Sequence, residues 1–250
     1  MRSRRPKVLH PLVGQPLICR VLDVVRSTGA DHIVVVLGHQ ADQVRAVLAE
    51  SVDSVVQEPQ LGTGHAVQRA APRLQHIGAD RLLVHLGDAA LVRPESLRRL
   101  VEQDVGPAAP IALLTARVSD PSGYGRVLRL ADGTVDRTVE EADASPRERS
   151  ANEIWSGSML LWTPWLWDHL ARLPVSPKGE YYLPELVNVA RQEHLAVAAV
   201  LTEDEDEVQG INDRVELARA QAILRRRTLE GVMRSGVTIV DPATTYIEPE

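Results

Sequence analysis

Residues 81–88 read Arg81-Leu82-Leu83-Val84-His85-Leu86-Gly87-Asp88, a mostly apolar run that ends in a glycine and a carboxylate. A run of this kind predicts a strand that is buried on both faces, as the strands of parallel sheets are. Helix patterns lie around it at 63–74 and 94–102, and further strand patterns at 32–37, 54–57 and 109–118. Strands and helices that alternate at this spacing predict an α/β fold with a doubly wound, mostly parallel sheet.

The pattern changes after residue 120. Two strand patterns flank Asp132-Gly133, which predicts a hairpin that is either a lid on the sheet or a plain surface hairpin. The acidic run 203–207 is expected to be a solvated loop. Further strands are predicted at 157–162 and 196–201, and helices at 165–173, 182–193 and 213–233. We therefore divide the chain into a main domain (1–212), a long helix (213–234) and a terminal segment (235–250).

Composition limits the class of protein. The chain has 250 residues, 44% of them hydrophobic and 25% charged, so a sizeable core is expected. Its net charge of -6 argues against a nucleic-acid-binding protein, which would be basic. No run has the apolar length needed to cross a bilayer and the basic start lacks the apolar block of a signal peptide, so a cytoplasmic location is expected. The single cysteine, Cys19, argues against an internal disulfide and a cysteine-based metal site.

Three further segments form a pattern together with Asp88. They are Pro6-Lys7-Val8-Leu9-His10-Pro11-Leu12, Gln57-Glu58-Pro59-Gln60-Leu61-Gly62-Thr63-Gly64 and Val208-Gln209-Gly210-Ile211-Asn212. Taken singly, Lys7 would be a surface lysine, Gly62-Thr63-Gly64 a capped strand-to-helix turn, and Asp88 a turn cap. A carboxylate at the carboxyl end of a parallel strand nevertheless lies where such sheets bind ligands, and its hard oxygens suit Mg²⁺. Solvated charges are expected at Arg2, Arg4 and Arg5.

Together these segments resemble the sugar-1-phosphate nucleotidyltransferases, and most closely the uridylyltransferase half of the bacterial N-acetylglucosamine-1-phosphate uridylyltransferases. The matched positions extend from Lys7 to Asn212 and so span most of the chain. The resemblance implies a Rossmann-like nucleotidyltransferase fold and the attack of a sugar 1-phosphate on the α-phosphate of UTP. The products would be pyrophosphate and UDP-N-acetylglucosamine, a precursor of cell wall peptidoglycan.

The resemblance also implies roles for single residues. Lys7 would be the catalytic residue, because its ammonium could neutralise charge that builds on the α-phosphate during transfer. Asp88 and Asn212 would bind the Mg²⁺ cofactor. Thr63 is in addition expected to cap the helix that follows it. The base of UTP would be contacted by Gln57, Gly62, Thr63 and Gly64.

The sugar pocket is where the chain departs from the family. Gly125 and Glu140 match family positions that contact the amino sugar or line its pocket. The family's asparagine in Glu-x-Asn-Ser/Thr-Gly is replaced by Trp155, whose larger indole can only donate a hydrogen bond. Trp155 would either stack on a sugar face or fill the space, so a different sugar 1-phosphate is an alternative substrate. The family's x-Pro-Leu after the aspartate reads Ala89-Ala90-Leu91 here, so this loop is expected to differ in stiffness.

The family pattern begins with an apolar strand and a glycine-rich phosphate loop, of which only Met1 is matched here. We expect this central strand to be missing, which would leave backbone groups of its two neighbours unpaired and apolar surface uncovered. Either the true start lies upstream, or the chain is a degenerate copy that is inactive or only binds a nucleotide sugar. The resemblance further implies that residues 235–250 are either a tail or the truncated start of the β-helix domain that follows in the family.

Overall fold

The computed structural model describes residue 1 and residues 3–247, so our expectations for Arg2 and for residues 248–250 lie outside the described residues. The strands are β1 (Pro11–Leu12), β2 (Gln15–Pro16), β3 (Val34–Leu37), β4 (Asp53–Val56), β5 (Arg81–His85), β6 (Ile111–Arg117), β7 (Arg126–Arg129), β8 (Val135–Val139), β9 (Glu153–Trp162) and β10 (Val197–Thr202). The helices are α1 (Leu17–Arg26), α2 (Ala41–Arg45), α3 (Gly62–Ile77), α4 (Pro94–Val101), α5 (Pro146–Arg149), α6 (Thr163–Leu170), α7 (Glu185–Gln192) and α8 (Arg214–Arg234). Two short 3-10 helices cover Lys7–Leu9 and Glu205–Val208.

The main sheet is built around β9. β6 pairs with one edge of β9, and β5 and the start of β7 pair with its other edge, all three antiparallel to it. β10 runs parallel to β6 on the outer side, and β8 pairs with β7. β5, β6 and β10 therefore point in one direction, and β9 is the reversed strand between β5 and β6. The predicted α/β class is confirmed.

Helices cover both faces of this sheet. Successive side chains of β6 alternate between the two faces, so they enter two different cores. Ile111 and Leu113 enter a core with α3, α6 and α7, whereas Ala112 and Leu114 enter a second core with α4. All four side chains are fully buried, and burial contributes about 2 kcal/mol for each of the larger ones. No helix of the described residues combines the length and the apolar character needed to span a membrane.

β3 and β4 form a separate two-stranded parallel sheet. Among the described residues, β3 has only β4 as a partner and β5 has only β9. The apolar side chains 34–36 and 82–84 are accordingly only partly buried, whereas those at 111–116 are buried. The helix α3 packs against β3 and β4, and its Val67 lies in the core that β5 also joins. Both β3 and β5 thus have one edge without a strand partner among the described residues.

The hairpin expected around Asp132-Gly133 is formed by β7 and β8. It is attached to the main sheet through pairing of Arg126 with Ile154 of β9, and α7 packs against β8. Val127 and Val135 are 2% and 1% exposed, so the hairpin is anchored by buried side chains. It therefore forms an edge of the main sheet.

The expectation of a solvated loop at 203–207 is wrong for the second part of the run, which forms the 3-10 helix Glu205–Val208 and buries Glu207. Glu207 is 2% exposed, and its carboxylate accepts hydrogen bonds from the Ser96 hydroxyl at 3.0 Å and the Thr202 hydroxyl at 2.8 Å. It also accepts the backbone N–H of Arg93 at 2.9 Å. Within the run Glu207 is buried, because Ser96 and the start of α4 together with Thr202 supply donors that satisfy its carboxylate, whereas Glu203 and Glu205 are exposed.

β9 begins at Glu153, earlier than the predicted start at 157. Glu153 is buried, and its carboxylate accepts hydrogen bonds from the guanidinium of Arg129 at 2.7 and 2.5 Å and from the Thr115 hydroxyl at 2.8 Å. The strand was predicted to start too late because the charge of Glu153 interrupts the apolar pattern. A paired carboxylate can nevertheless occupy an inward position of a strand.

Candidate active site

Lys7, Asp88 and Asn212 meet in the structure although they come from distant parts of the chain. The Nζ atom of Lys7 donates hydrogen bonds to Oδ2 of Asp88 at 2.7 Å and to Oδ1 of Asn212 at 2.9 Å. The side chains of Lys7 and Asp88 are 34% and 26% exposed, so a ligand can reach them. Two oxygen atoms thus converge on one positive charge, which is also the arrangement that a hard metal ion requires.

A hydrophobic cluster holds the three segments together. Each segment contributes a neighbour of its polar residue to this cluster, which also includes side chains of α1 and α8: Val8, Leu91 and Ile211. Leu91 and Ile211 are fully buried, and burial of each contributes about 2 kcal/mol. The apolar residues therefore fix the positions from which the polar side chains meet.

Asp88 lies in a turn that follows β5. The backbone N–H of Ala89 donates to the carbonyl of Leu86 at 3.1 Å, which closes the turn. Leu86 in turn donates its N–H to the carbonyl of Gly157 in β9 at 3.0 Å. Gly157 has a φ of +87°, and a Cβ there would lie 2.9 Å from Cδ1 of Leu86, so only glycine allows this close approach. Gly157 lies in a bulge of β9 opposite β6, and its carbonyl is the one that Leu86 contacts.

Asn212 lies immediately before α8, whose N-cap residue is Asp213. The Asp213 carboxylate accepts the N–H groups of Val215 and Glu216, both at 2.8 Å. The Glu216 carboxylate in return accepts the N–H of Asp213 at 3.3 Å, which completes a capping box, and also the N–H of Asn212 at 2.5 Å. This capping box fixes the backbone of Asn212 against the start of a 21-residue helix.

Gln57 follows β4 and contacts the start of α3. Its Nε2 donates to the carbonyl of Gly62 at 2.9 Å and lies 3.1 Å from Nδ1 of His65. An amide nitrogen can only donate, so Nδ1 of His65 is the acceptor in this contact. Both contacts use the amide nitrogen, and among the described residues none uses the side-chain carbonyl. That oxygen is therefore available to accept a hydrogen bond from a ligand.

Gly62 and Gly64 lie against the backbone of Tyr181. Gly62 has a φ of +92°, and a Cβ there would lie 2.6 Å from the Tyr181 carbonyl oxygen. A Cβ at Gly64 would lie 3.0 Å from the same oxygen, which accepts the Gly64 N–H at 2.7 Å. The glycines of this turn are thus required by its packing on the segment around Tyr181.

Thr63 does not cap α3, so that expectation is wrong. The N-cap residue is Leu61, and it makes no side-chain cap hydrogen bond. The Thr63 hydroxyl instead accepts the backbone N–H of Leu183 at 2.9 Å. Thr63 thereby ties the same turn to the segment that precedes α7.

Gly125 and Glu140 lie together at the hairpin. Oε1 of Glu140 would be 3.2 Å from a Cβ placed on Gly125. Burial raises the pKa of Glu140, and the negative charges of Glu185, Asp143 and Glu180 add to this effect. The described residues provide the Glu140 carboxylate with no hydrogen bond, so its oxygens can accept one from a ligand hydroxyl.

Trp155 is separate from these groups. Its Nε1 donates to the backbone carbonyl of Ser158 at 2.8 Å, and its ring packs against the core that contains β6 and β9. The one polar group of the indole is thus bonded within β9. This contact favours the space-filling alternative over stacking on a sugar.

Two contacts relate the Glu140 region to the other candidate site residues. Glu180 is close enough to Glu140 to raise its pKa, and it directly precedes the Tyr181 segment on which the 62–64 turn packs. The hydroxyl of Tyr124 accepts the N–H of Gly210 at 3.3 Å, two residues before Asn212. No hydrogen bond or ion pair among the described residues directly joins Gln57 and the 62–64 turn to the cluster of Lys7, Asp88 and Asn212.

Sequence reasoning missed His85. Its Nδ1 lies 2.8 Å from the Ser158 hydroxyl and its Nε2 lies 3.2 Å from the Ala89 carbonyl. Removal from water lowers the pKa of His85 to about 4. The signal available in the sequence was one basic aromatic residue at the end of an otherwise apolar strand, three positions before Asp88.

Comparison with known proteins matches residues 1–197 to the MobA-like NTP transferase domain. Proteins named bifunctional protein GlmU are 42% identical to the chain in an Exiguobacterium species, 42% in Geobacter metallireducens and 40% in Enterococcus faecalis. The alignments cover 100%, 99% and 99% of this chain, but 55%, 52% and 54% of those proteins. The chain thus spans about half the length of the curated relatives it matches. With a domain match over most of its length and the fold described above, the chain belongs to the family of MobA-like NTP transferase domains.

Proposed function

We propose that the chain transfers a uridylyl group from UTP to N-acetylglucosamine 1-phosphate, which gives UDP-N-acetylglucosamine and pyrophosphate. The observation that carries the proposal is the contact of Lys7 with Asp88 and Asn212, at 2.7 and 2.9 Å. Membership of an NTP transferase family supports the nucleotide, and the motifs shared with the uridylyltransferases support the base and the sugar. A reaction that uses UTP to make a cell wall precursor is expected in the cytoplasm.

Asp88 and Asn212 provide a donor set that fits Mg²⁺. This ion prefers oxygen atoms, takes few of them from the protein, and completes its shell with water and phosphate. The Lys7 ammonium lies between the two oxygens and stands in for a cation there. When bound at Asp88 and Asn212, Mg²⁺ would supply positive charge to the triphosphate.

Lys7 would act on the α-phosphate once its ammonium leaves the two oxygens. A phosphate oxygen of the sugar phosphate attacks the α-phosphorus in line, and the bond to the β-phosphate oxygen breaks, which releases pyrophosphate. Negative charge grows on the oxygens of the α-phosphate during this step, and a positioned ammonium stabilises that charge. Lys7 extends from a short 3-10 helix anchored by Val8, so its reach is limited to the vicinity of Asp88.

The residues around Gln57 would select the base of the nucleotide, and those around Glu140 would select the sugar. The Gln57 carbonyl would accept the N–H of uracil, with its amide nitrogen already held by Gly62 and His65. Thr63 and Gly64 would support this surface through their bonds to the segment 181–183. Glu140 would accept hydrogen bonds from sugar hydroxyls beside Gly125, whereas Trp155 would fill space in β9 and leave the sugar to these two residues.

Pyrophosphate release by the purified 250-residue chain tests the proposal. We expect release that requires UTP, N-acetylglucosamine 1-phosphate and Mg²⁺ together. Lys7→Ala should lower kcat about 100-fold, because one lost donor to a developing negative charge commonly has this effect. Arg234→Ala is the control, since Arg234 is an exposed basic residue at the end of α8.

Two results would overturn the proposal. Binding of UDP-N-acetylglucosamine without pyrophosphate release under any of these conditions would identify a binding protein. Release with glucose 1-phosphate or galactose 1-phosphate but not with N-acetylglucosamine 1-phosphate would identify a different sugar as the substrate.

A further inference from the structure

His85 is a polar residue at the end of β5 that the proposed reaction does not use. Its ring joins two elements, because Nδ1 lies 2.8 Å from the hydroxyl of Ser158 in β9 and Nε2 lies 3.2 Å from the carbonyl of Ala89. Ser158 is fully buried. Ala89 directly follows Asp88 in the chain, so one of the two contacts of His85 falls on the turn that carries the candidate metal ligand.

Hydrogen-bond chemistry fixes the direction of both contacts. A carbonyl oxygen can only accept, so Nε2 of His85 carries the hydrogen that it donates to Ala89. Burial lowers the pKa of His85 to about 4, so the ring is neutral at neutral pH and Nδ1 has no hydrogen. Nδ1 must therefore accept, and the Ser158 hydroxyl donates to it. The result is one chain of bonds from Ser158 through His85 to the carbonyl of Ala89.

These bonds add to two others at the same turn. The N–H of Ala89 donates to the carbonyl of Leu86, and the N–H of Leu86 donates to the carbonyl of Gly157. Asp88 lies inside the turn that these contacts define. Ala89 and Ala90, which follow Asp88, do not restrict the backbone as a proline would, so the shape of the turn depends on these hydrogen bonds.

We propose that His85 is a positioning residue that holds the Asp88 turn through the Ala89 carbonyl, so that the Asp88 carboxylate faces Asn212 in a geometry ready for a divalent cation. The inference rests on the proposed function, because it takes Asp88 as a cation ligand. Groups that orient a metal ligand in this way commonly change metal affinity by about 10-fold or more when they are removed.

Titration of the full chain with Mn²⁺ tests the inference, with affinity measured from the paramagnetic broadening of amide signals at residues 87–90. His85→Leu introduces an apolar side chain of similar size that can make neither hydrogen bond, so we expect about 10-fold weaker Mn²⁺ binding. His85→Gln keeps an N–H that can reach Ala89, and its affinity should stay within about twofold of the unchanged chain.

His85→Asn gives a second comparison should the leucine variant fail to fold. Asparagine can still bond to Ser158 but is too short to reach Ala89, so we expect the same loss of about 10-fold as for leucine. Amide hydrogen exchange of the metal-free chain gives an independent readout, in which the turn amides at 87–90 should exchange about 10-fold faster in the asparagine variant than in the glutamine variant.

Three outcomes are informative. Folded His85→Leu and His85→Asn chains that bind Mn²⁺ as tightly as the unchanged chain would overturn the inference. Equal losses for glutamine and asparagine would also overturn it, because a packing role would then explain the effect. If the unchanged chain binds no Mn²⁺, the proposed function fails, and the exchange rates of the turn still decide whether His85 holds it.

Discussion

Lys7 is one of only two lysines in a chain with 28 lysine and arginine residues together. An ammonium is a compact point charge with three donors, whereas a guanidinium is a planar fork. The gap between Asp88 and Asn212 accommodates an ammonium at 2.7 and 2.9 Å from the two oxygens. Composition alone therefore distinguishes Lys7 from the many arginines of the chain.

Lys7 and a divalent cation should compete for the same two oxygens. We expect Lys7→Met to bind Mn²⁺ about 10-fold more tightly than the unchanged chain, because removal of a nearby positive charge is worth roughly 1 to 2 kcal/mol in a solvent-exposed site. Electron paramagnetic resonance of free Mn²⁺ measures this affinity. Lys178→Met is the control, and equal or weaker binding by the Lys7 variant would show that the ammonium does not occupy the metal position.

His85 should make the fold sensitive to acid. Its pKa is about 4 in the folded chain and about 6.5 when exposed, so the unfolded chain takes up a proton first as the pH falls. The stability that depends on a neutral His85 is complete above pH 6.5 and is lost between pH 6.5 and 4. The free energy of unfolding should therefore fall by about 2 kcal/mol between pH 7 and 4.5 on account of this residue.

Urea unfolding of His85→Gln at both pH values isolates this effect. The variant should lack that part of the pH dependence, while His76→Gln, which changes an exposed histidine of α3, should keep it. Identical pH dependence in the His85 variant and the unchanged chain would contradict the prediction.

The sequence anticipated which polar residues lie near one another better than it anticipated their partners. Asp88 was predicted at the end of a strand, and it follows β5. The burial of Glu207 and the contacts of His85 depend on donors and acceptors from other elements, which a local pattern does not contain. The roles of the site residues stay predictions.

At the scale of elements, Gly62 tests how far the turn that begins α3 depends on its packing against Tyr181. Gly62→Ala should destabilise the chain by about 3 kcal/mol, because the residue has a φ of +92° and its Cβ would lie 2.6 Å from a backbone oxygen of Tyr181. Gly78→Ala at the other end of α3 is a matched control, since Gly78 has a φ of +71° but open space around it. It should cost only about 1 kcal/mol.

Equilibrium unfolding in urea compares the two variants. Equal losses of stability would show that Tyr181 moves aside without cost. A larger loss at Gly62, together with weaker UTP binding, would agree with a turn whose position depends on the 181–183 segment.

Element types were predictable where apolar residues form a continuous run, as in β6, or recur at the period of a helix, as in α8. The boundaries were not predictable where a buried charge replaces an apolar residue, as Glu153 does at the start of β9. The reversed direction of β9 was not predicted either, because the period of a strand is the same in both orientations.

At the scale of the whole molecule, the unpaired edges of β3 and β5 should be visible in hydrogen exchange. Amides of β5 that point away from β9 have no strand partner among the described residues, whereas β6 lies between β9 and β10. We expect about 100-fold faster exchange for such amides of β3 and β5 than for β6. Equal protection of all three strands would show that another segment or molecule covers these edges.

The scarcity of lysine also has a practical consequence for spectroscopy. Reductive methylation with isotope-labelled formaldehyde modifies primary amines, so in this chain it would label Lys7, Lys178 and the terminal amine. The exposed Lys178 would serve as an internal reference, while the methyl signal of Lys7 would shift when its ammonium leaves Asp88. A single resonance would thus follow cation and nucleotide binding in solution without any engineered label.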